Sequence, residues 1–197
     1  MDSALNLQAR LKRCRPAHQL MGLFFQGTLE HLERLIGGEV TNELRSHVKS
    51  TEKPLLPVLF YPASDYLRLL QLGAQALVER GRTFPAALEE LGYGTAEALF
   101  ASSMGKMLVA AAEKDVHAGL AEVPAVTKMI SIFGRREYQR VADDRGRLTF
   151  QGELPGPSWA TGLLRAELER IAGRAGTVEL APEAFVPYLD FTLELHW

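Results

Sequence analysis

Apolar and polar residues alternate strictly over the C-terminal segment 189–197. The apolar positions are Leu189, Phe191, Leu193, Leu195 and Trp197, and the polar positions are Asp190, Thr192, Glu194 and His196. Successive side chains of a strand point to opposite faces, so this period of two places every apolar side chain on one face. The pattern therefore predicts a strand that is buried on one face and solvated on the other.

Three further strands and a helix are predicted between Gly134 and that segment. Residues 138–142 and 147–154 have strand-like patterns and are joined by the turn 143–146. Ser158 predicts the N-cap of a helix that ends at Gly173, and residues 176–180 predict another strand. In the second strand we expect Leu148, Phe150 and Leu154 to face inward, and Arg147, Thr149, Gln151 and Glu153 to face outward.

The region before Gly134 has apolar residues at helical spacing. The clearest helix begins at Ser64 and ends near Gly81, with Leu67, Leu70, Ala74, Leu77 and Val78 on its apolar face. Extended residues 22–25 are predicted to precede a helix that begins at Thr28. Further helices are predicted to begin at Thr83, where the end would be Gly92, and at Thr95, Ser103 and Pro124.

These elements predict an α+β fold class, with an N-terminal helical lobe packed on a C-terminal antiparallel sheet in the order strand-strand-helix-strand-strand. Residues 21–197 are predicted to form a single domain, mainly helical over 21–134 and a sheet with one helix over 135–197. Residues 1–20 are predicted to be a basic amphipathic arm or linker, for which a helix is one alternative.

The net charge is close to neutral, because the chain has 22 basic and 24 acidic residues, which give a net charge of −2. Nucleic acid is therefore not expected as a partner. A local exception is the basic cluster Arg10, Lys12, Arg13 and Arg15, which fits either an acidic partner or a solvated arm. No apolar run reaches the roughly 20 residues of a membrane span, and we expect a cytoplasmic protein.

Five short motifs resemble a family of roughly 200-residue paralogous domains of unknown function found mainly in myxobacteria. The resemblance covers most of the chain from about Met21. The motifs are Gly22-Leu23-Phe24-Phe25, Tyr61-Pro62, Phe84-Pro85-Ala86 leading to Leu91-Gly92, Ser103-Met104-Gly105, and the segment from Phe191 to Trp197.

Such domains are similar in layout to heme-nitric-oxide-binding domains and to 4-vinyl-reductase-like domains. That likeness implies a cleft for a ligand or partner between the helices and the sheet, and it places His117 near the iron-ligating histidine of the heme-binding group. The chain departs from both groups. It lacks the Tyr-x-Ser-x-Arg motif that holds the heme propionates, and residues 158–197 contain no cysteine. His117 is therefore either an axial ligand or a partly exposed helix histidine.

A small apolar ligand could bind in a pocket that contains methionine and aromatic side chains. The thioethers of methionine suit a plastic apolar pocket, although core filling is the alternative role. The predicted ligand-binding residues are His117, Met104, Met107, Met129, Phe133 and Tyr138.

Familiar catalytic and metal-binding motifs are missing from the sequence. No nucleophile elbow, phosphate-binding loop or His-Glu-x-x-His pattern occurs, so no catalytic residues, no metal and no resident cofactor are expected, with heme as the alternative. Glu167 and Glu169 look like a solvated helix face. Arg135 and Arg136 are expected at the start of a strand, where they could meet an anion or water. The single cysteine, Cys14, has basic neighbours that could lower its pKa.

Three hypotheses follow. The first is a non-catalytic ligand-sensing or protein-interaction module in bacterial signalling or regulation, whose partner is an unidentified protein or a small apolar ligand. The second is a heme or other small-ligand sensor that uses His117, and the third is an uncharacterised enzyme. A homodimer is possible, because an exposed sheet edge invites pairing.

Overall fold

A computed structural model describes residues 3–113, 115–182 and 189–197. The predicted α+β class is confirmed. No helix in these ranges is both long enough and apolar enough to cross a bilayer. The elements in chain order are α1 (Ala4–Leu11), β1 (Gln19–Met21), α2 (Gly22–Ile36), α3 (Gly38–Ser46), β2 (Phe60–Pro62), α4 (Ala63–Val78), α5 (Phe84–Ala101), α6 (Ser103–Ala112), α7 (Val116–Ile130), β3 (Arg135–Ala142), β4 (Arg145–Gln151), α8 (Pro157–Ala172), β5 (Thr177–Leu180) and β6 (Phe191–His196).

The C-terminal sheet has the predicted strand-strand-helix-strand-strand order. Its strands are arranged β3-β4-β6-β5, and every neighbouring pair is antiparallel. The inner face is apolar and is covered by α7 and α8. The buried residues on this face are Leu148, Phe150, Phe191, Leu193 and Leu195. The alternation of β6 therefore produces the one-sided sheet that it predicts.

The first helix of the main domain begins at Gly22, not at Thr28, so the extended segment predicted for 22–25 is wrong. No side chain caps this helix. Instead, Gly22 N–H donates to the Leu59 carbonyl and Leu23 N–H donates to the Pro57 carbonyl. A distant loop satisfies these N-terminal donors, and that arrangement leaves no local capping signal in the sequence.

Helix α5 runs unbroken through Gly92, so the predicted end at Gly92 and the new helix at Thr95 are wrong. Both glycines of Gly92-Tyr93-Gly94 permit close packing rather than a turn. A Cβ at Gly92 would overlap the Trp159 carbonyl of α8, and a Cβ at Gly94 would overlap the His31 ring.

Helix α7 begins earlier than predicted, at Val116 rather than at Pro124. The Asp115 side chain caps it by accepting from His117 N–H at 3.3 Å. Pro124 lies inside the helix, where it has no N–H to donate to the carbonyl four residues earlier. This earlier start places His117 in the first turn of α7.

The N-terminal segment is partly helical and packed on the domain. Helix α1 is capped by Ser3, and both Leu7 and Arg10 are fully buried. Arg10 donates to the Pro155 carbonyl at 3.1 Å, which ties α1 to the loop before α8. The helical alternative for this segment is the one the structure shows.

Candidate functional site

His117 is buried between α7 and the sheet, with 5% of its surface exposed. Its Nδ1 lies 2.6 Å from the Tyr138 hydroxyl on β3, and its Nε2 lies 3.1 Å from the Asp143 carbonyl oxygen in the β3–β4 turn. The Trp197 ring stands edge-on to the imidazole at a centroid distance of 4.8 Å. The predicted alternative of a partly exposed helix histidine is therefore wrong.

For a neutral imidazole, these contacts define the tautomer of His117. A carbonyl oxygen can only accept a hydrogen bond, so Nε2 carries the proton and donates it to Asp143. Nδ1 then accepts the hydrogen bond that the Tyr138 hydroxyl donates. Burial, with Asp115 adding to it, raises the pKa of Tyr138 to about 12, which keeps the phenol protonated as this arrangement requires. Both ring nitrogens are thus engaged.

The other predicted ligand-binding residues do not join this site. Met104 is buried in the core, whereas Met107 and Met129 are 52% and 53% exposed and cannot line an enclosed apolar pocket. Phe133 lies at a different cleft, described below. Of the predicted set, the structure brings together only His117 and Tyr138, and ligand binding by these two stays a prediction.

A buried ion pair lies on the same inner face of β3. Both Nε and Nη2 of Arg136 donate to Glu153 Oε2, at 3.1 and 2.8 Å, and Nη1 donates to Thr127 Oγ1 at 2.6 Å. The guanidinium also lies over the Phe150 ring. The outward position predicted for Glu153 is therefore wrong. Arg136 lies at the start of β3 as predicted, but it meets the buried Glu153 carboxylate rather than a ligand or water.

Glu167 is a second buried carboxylate, on α8. Burial raises its pKa to about 7, against the opposing effect of Arg136. Its Oε2 atom and Oε1 of Glu153 have no hydrogen-bond partner among the described residues. The prediction that Glu167 lies on a solvated helix face is wrong. The burial of the ionisable groups of Glu153 and Glu167 is the feature that the sequence patterns missed.

Tyr66 is the centre of a polar network that joins the helical half to α8. Its hydroxyl lies 3.0 Å from Thr28 Oγ1 and 3.2 Å from Thr95 Oγ1, and it accepts from Trp159 Nε1–H at 3.1 Å. Phe24 packs against the rings of both Tyr66 and Trp159. Large side chains thus fill the space between the helices and α8.

A cleft of about 540 Å³ separates the N-terminal segment from the end of the sheet. We call it the basic cleft. Its lining includes the basic residues Lys12, Arg13 and Arg15, together with His18, Phe133 and Leu154.

Cys14 also lines the basic cleft, but the reactive thiol that its basic neighbours suggested is not supported. Burial raises the pKa of the Cys14 thiol to about 11, so it is protonated at neutral pH. In the described part of the chain, no group of three or more His, Cys, Asp or Glu residues is placed to hold a metal ion.

The family model described as "Protein of unknown function (DUF2378)" matches residues 13–197. The chain belongs to this family. The membership agrees with the resemblance to a family of unknown function that the motifs indicated. A comparison with curated proteins gave no match.

Solved H-NOX structures share the fold. The Fe(II) unliganded H-NOX protein from K. algicida is 14% identical, with a TM-score of 0.70 over 90% of this chain and 96% of that one. The S. oneidensis H-NOX protein in the Fe(II)NO ligation state is 14% identical, with a TM-score of 0.67 over 90% and 98%. A mutant of the T. Tengcongensis H-NOX protein is 15% identical, with a TM-score of 0.67 over 90% and 97%. The predicted layout is therefore confirmed, and at this identity the likeness concerns the fold alone.

Proposed function

We propose that this chain is a non-catalytic ligand-sensing module in signalling or regulation, built on the H-NOX fold but working without an iron ligand at His117. The fold likeness supports sensing, because the similar proteins include one solved with Fe(II) and NO. The hydrogen bonds of His117 support the second part of the proposal, namely that His117 does not ligate iron.

Iron ligation by imidazole requires an unprotonated ring nitrogen with a free lone pair. In His117 the lone pair of Nδ1 accepts from Tyr138, and Nε2 bears the proton that goes to Asp143. The ring is also enclosed by Tyr138, Trp197 and the β3–β4 turn. These residues do not fit heme ligation at His117, so we assign no step to heme.

Heme sensing through His117 is the second candidate. It is favoured by the likeness to Fe(II) H-NOX structures and by the burial of His117 in the first turn of the helix that precedes the sheet. It requires one ring nitrogen to give up its present partner, which is Tyr138 for Nδ1 and Asp143 for Nε2, while the other nitrogen can keep its hydrogen bond. Breaking hydrogen bonds to buried groups without replacing them costs about 1–3 kcal/mol each, which opposes that rearrangement.

Absorbance spectra after addition of hemin to the purified protein distinguish the two candidates. We expect no Soret band whose intensity or position depends on His117. His117→Ala removes the imidazole, and His47→Ala is the matched control, because His47 is exposed on the C-terminal side of α3. A Soret band present in the wild type and in His47→Ala but lost in His117→Ala would overturn the proposal in favour of the heme sensor.

A further inference from the structure

We propose that the basic cleft binds an amphipathic organic anion, a carboxylate attached to an apolar body. The inference names a ligand class for the sensing module and rests on the proposed function in that respect. It is supported by positive charges that form no ion pair within the described residues, by a hydrogen-bond donor at His18, and by the apolar side chains of Phe133 and Leu154 in the lining.

Among the described residues, Lys12, Arg13 and Arg15 have no acidic partner. Some arginines of the described chain form ion pairs, as Arg34 does with Glu97, Arg136 with Glu153 and Arg147 with Glu194. No such pair is formed within the described ranges by Lys12, Arg13 or Arg15. Three cations that share one cleft and form no ion pair with a described residue, in a protein of net charge −2, create a local potential that favours an anion.

His18 adds a neutral hydrogen-bond donor to the same cleft. The Arg15 backbone N–H donates to His18 Nδ1 at 3.2 Å, so the proton of the neutral ring is on Nε2. Partial burial and the nearby Arg15 charge lower the pKa of His18, which favours this neutral form. An Nε2–H group is suited to a carboxylate oxygen, and the His18 backbone is fixed because its carbonyl accepts from Ala63 N–H at 2.9 Å.

The cleft also has apolar side chains in its lining. Leu154 is buried in its floor, and Phe133 stands beside the His18 ring at a centroid distance of 6.3 Å. A volume of about 540 Å³ lies within the range of small-molecule sites, which typically combine apolar walls with a few placed polar groups. A bare inorganic anion would contact only the cations of this cleft, and a neutral hydrocarbon would contact only its apolar side chains.

Isothermal titration of the full chain with octanoate tests the proposal, with acetate as the charged head alone and 1-octanol as the apolar body alone. We expect saturable one-to-one binding of octanoate that weakens as salt is added. Acetate and octanol should each bind at least about tenfold more weakly. Acetate lacks the apolar chain that would contact Phe133 and Leu154, and octanol lacks the carboxylate that would contact the cations.

The variant Arg13→Gln/Arg15→Gln should bind octanoate about tenfold more weakly, whereas Arg174→Gln should bind like the wild type. Arg174 is an exposed arginine that does not line the cleft, and it serves as the matched control. Circular dichroism confirms that each variant is folded. Lys12→Glu is a second charge variant and should weaken octanoate binding as well.

Four results would overturn the inference: no saturable binding of octanoate, binding unchanged in Arg13→Gln/Arg15→Gln, acetate binding as tightly as octanoate, or an acidic peptide binding more tightly than octanoate. The last would identify a protein surface as the partner. A His117-dependent Soret band would overturn the proposed function and leave the titration unaffected, so the two failures are distinguishable.

Discussion

Glu167 shows how a single residue can link pH to stability in this protein. Its side chain is 2% exposed on α8, and its pKa rises from 4.5 to about 7 because burial disfavours the charged carboxylate. The folded protein therefore holds a proton that the unfolded chain releases. The stability that Glu167 contributes is fully present below about pH 4.5 and is lost as the pH rises through about 7.

The variant Glu167→Gln should gain stability at neutral to alkaline pH. At pH 8 the wild type carries a buried charge that the amide lacks, and the free energy of unfolding should rise by on the order of 3 kcal/mol in the variant. At pH 5 the two proteins should differ little. Urea unfolding at both pH values measures the effect.

Glu122→Gln is the matched control for this experiment, because Glu122 is exposed on α7. It should change the free energy of unfolding by less than about 0.5 kcal/mol at either pH. A Glu167→Gln variant with the same pH dependence as the wild type would show that the buried carboxyl group does not titrate in this window.

The two buried glutamates were misplaced from sequence for different physical reasons. Strand β4 ends at Gln151, and Gly152 follows with a φ of 68°, which breaks the alternation that would have put Glu153 on the outer face. Helix α8 is buried both against α5 and against α7 and the sheet. Glu167 is therefore buried, although the sequence places it on a face of α8 that looks polar. The sequence also singled out His117, which the structure places in a buried contact between α7 and the sheet, whereas its part in ligand binding stays a prediction.

At the scale of elements, the crossing of α5 and α8 holds the helical half to the C-terminal half. The two helices approach so closely that a Cβ at Gly162 would overlap the Glu89 carbonyl oxygen, and a Cβ at Gly92 would overlap the Trp159 carbonyl. Backbone cannot move aside as a flexible side chain can. Glycines of this kind have the same sequence signature as helix stops, which is why α5 was divided in the prediction.

Gly162→Ala should therefore destabilise the fold by about 3 kcal/mol, the upper part of the range for overpacking. Gly38→Ala in α3 is the matched control, because its Cβ would meet only the flexible side chain of Glu33. That control should be neutral or slightly stabilising, since alanine favours a helix. Urea denaturation compares them, and equal stability of the two variants would contradict the close crossing.

The strands of the C-terminal sheet and helix α4 were predictable because their signals are local. The alternation of β6 and the apolar spacing of α4 follow from burial on one face alone. The start of α2 and the small β1–β2 sheet depend on partners distant in sequence, such as the pairing of Leu20 with Tyr61. Local patterns contain no trace of such partners.

At the scale of the whole molecule, the chain keeps the H-NOX fold over 90% of its length at 14–15% identity to the solved structures compared above. The shared layout brings α7 and the inner face of the sheet together, whereas the hydrogen bonds within that contact are set by this chain's own residues. His117 is held by Tyr138 and Asp143, and the Tyr66–Trp159 network occupies the junction with α8. We propose that this chain shares its fold with the H-NOX structures, and that its His117 is held by hydrogen bonds and does not ligate iron.

Long-range ¹H–¹⁵N NMR correlation of the histidine rings, recorded before and after addition of hemin, tests this account most directly. It reports which nitrogen of His117 carries the proton. The account predicts a protonated Nε2 and an unprotonated, hydrogen-bonded Nδ1, both unchanged by hemin. An unprotonated Nε2, or His117 signals that shift or vanish when hemin is added, would contradict it.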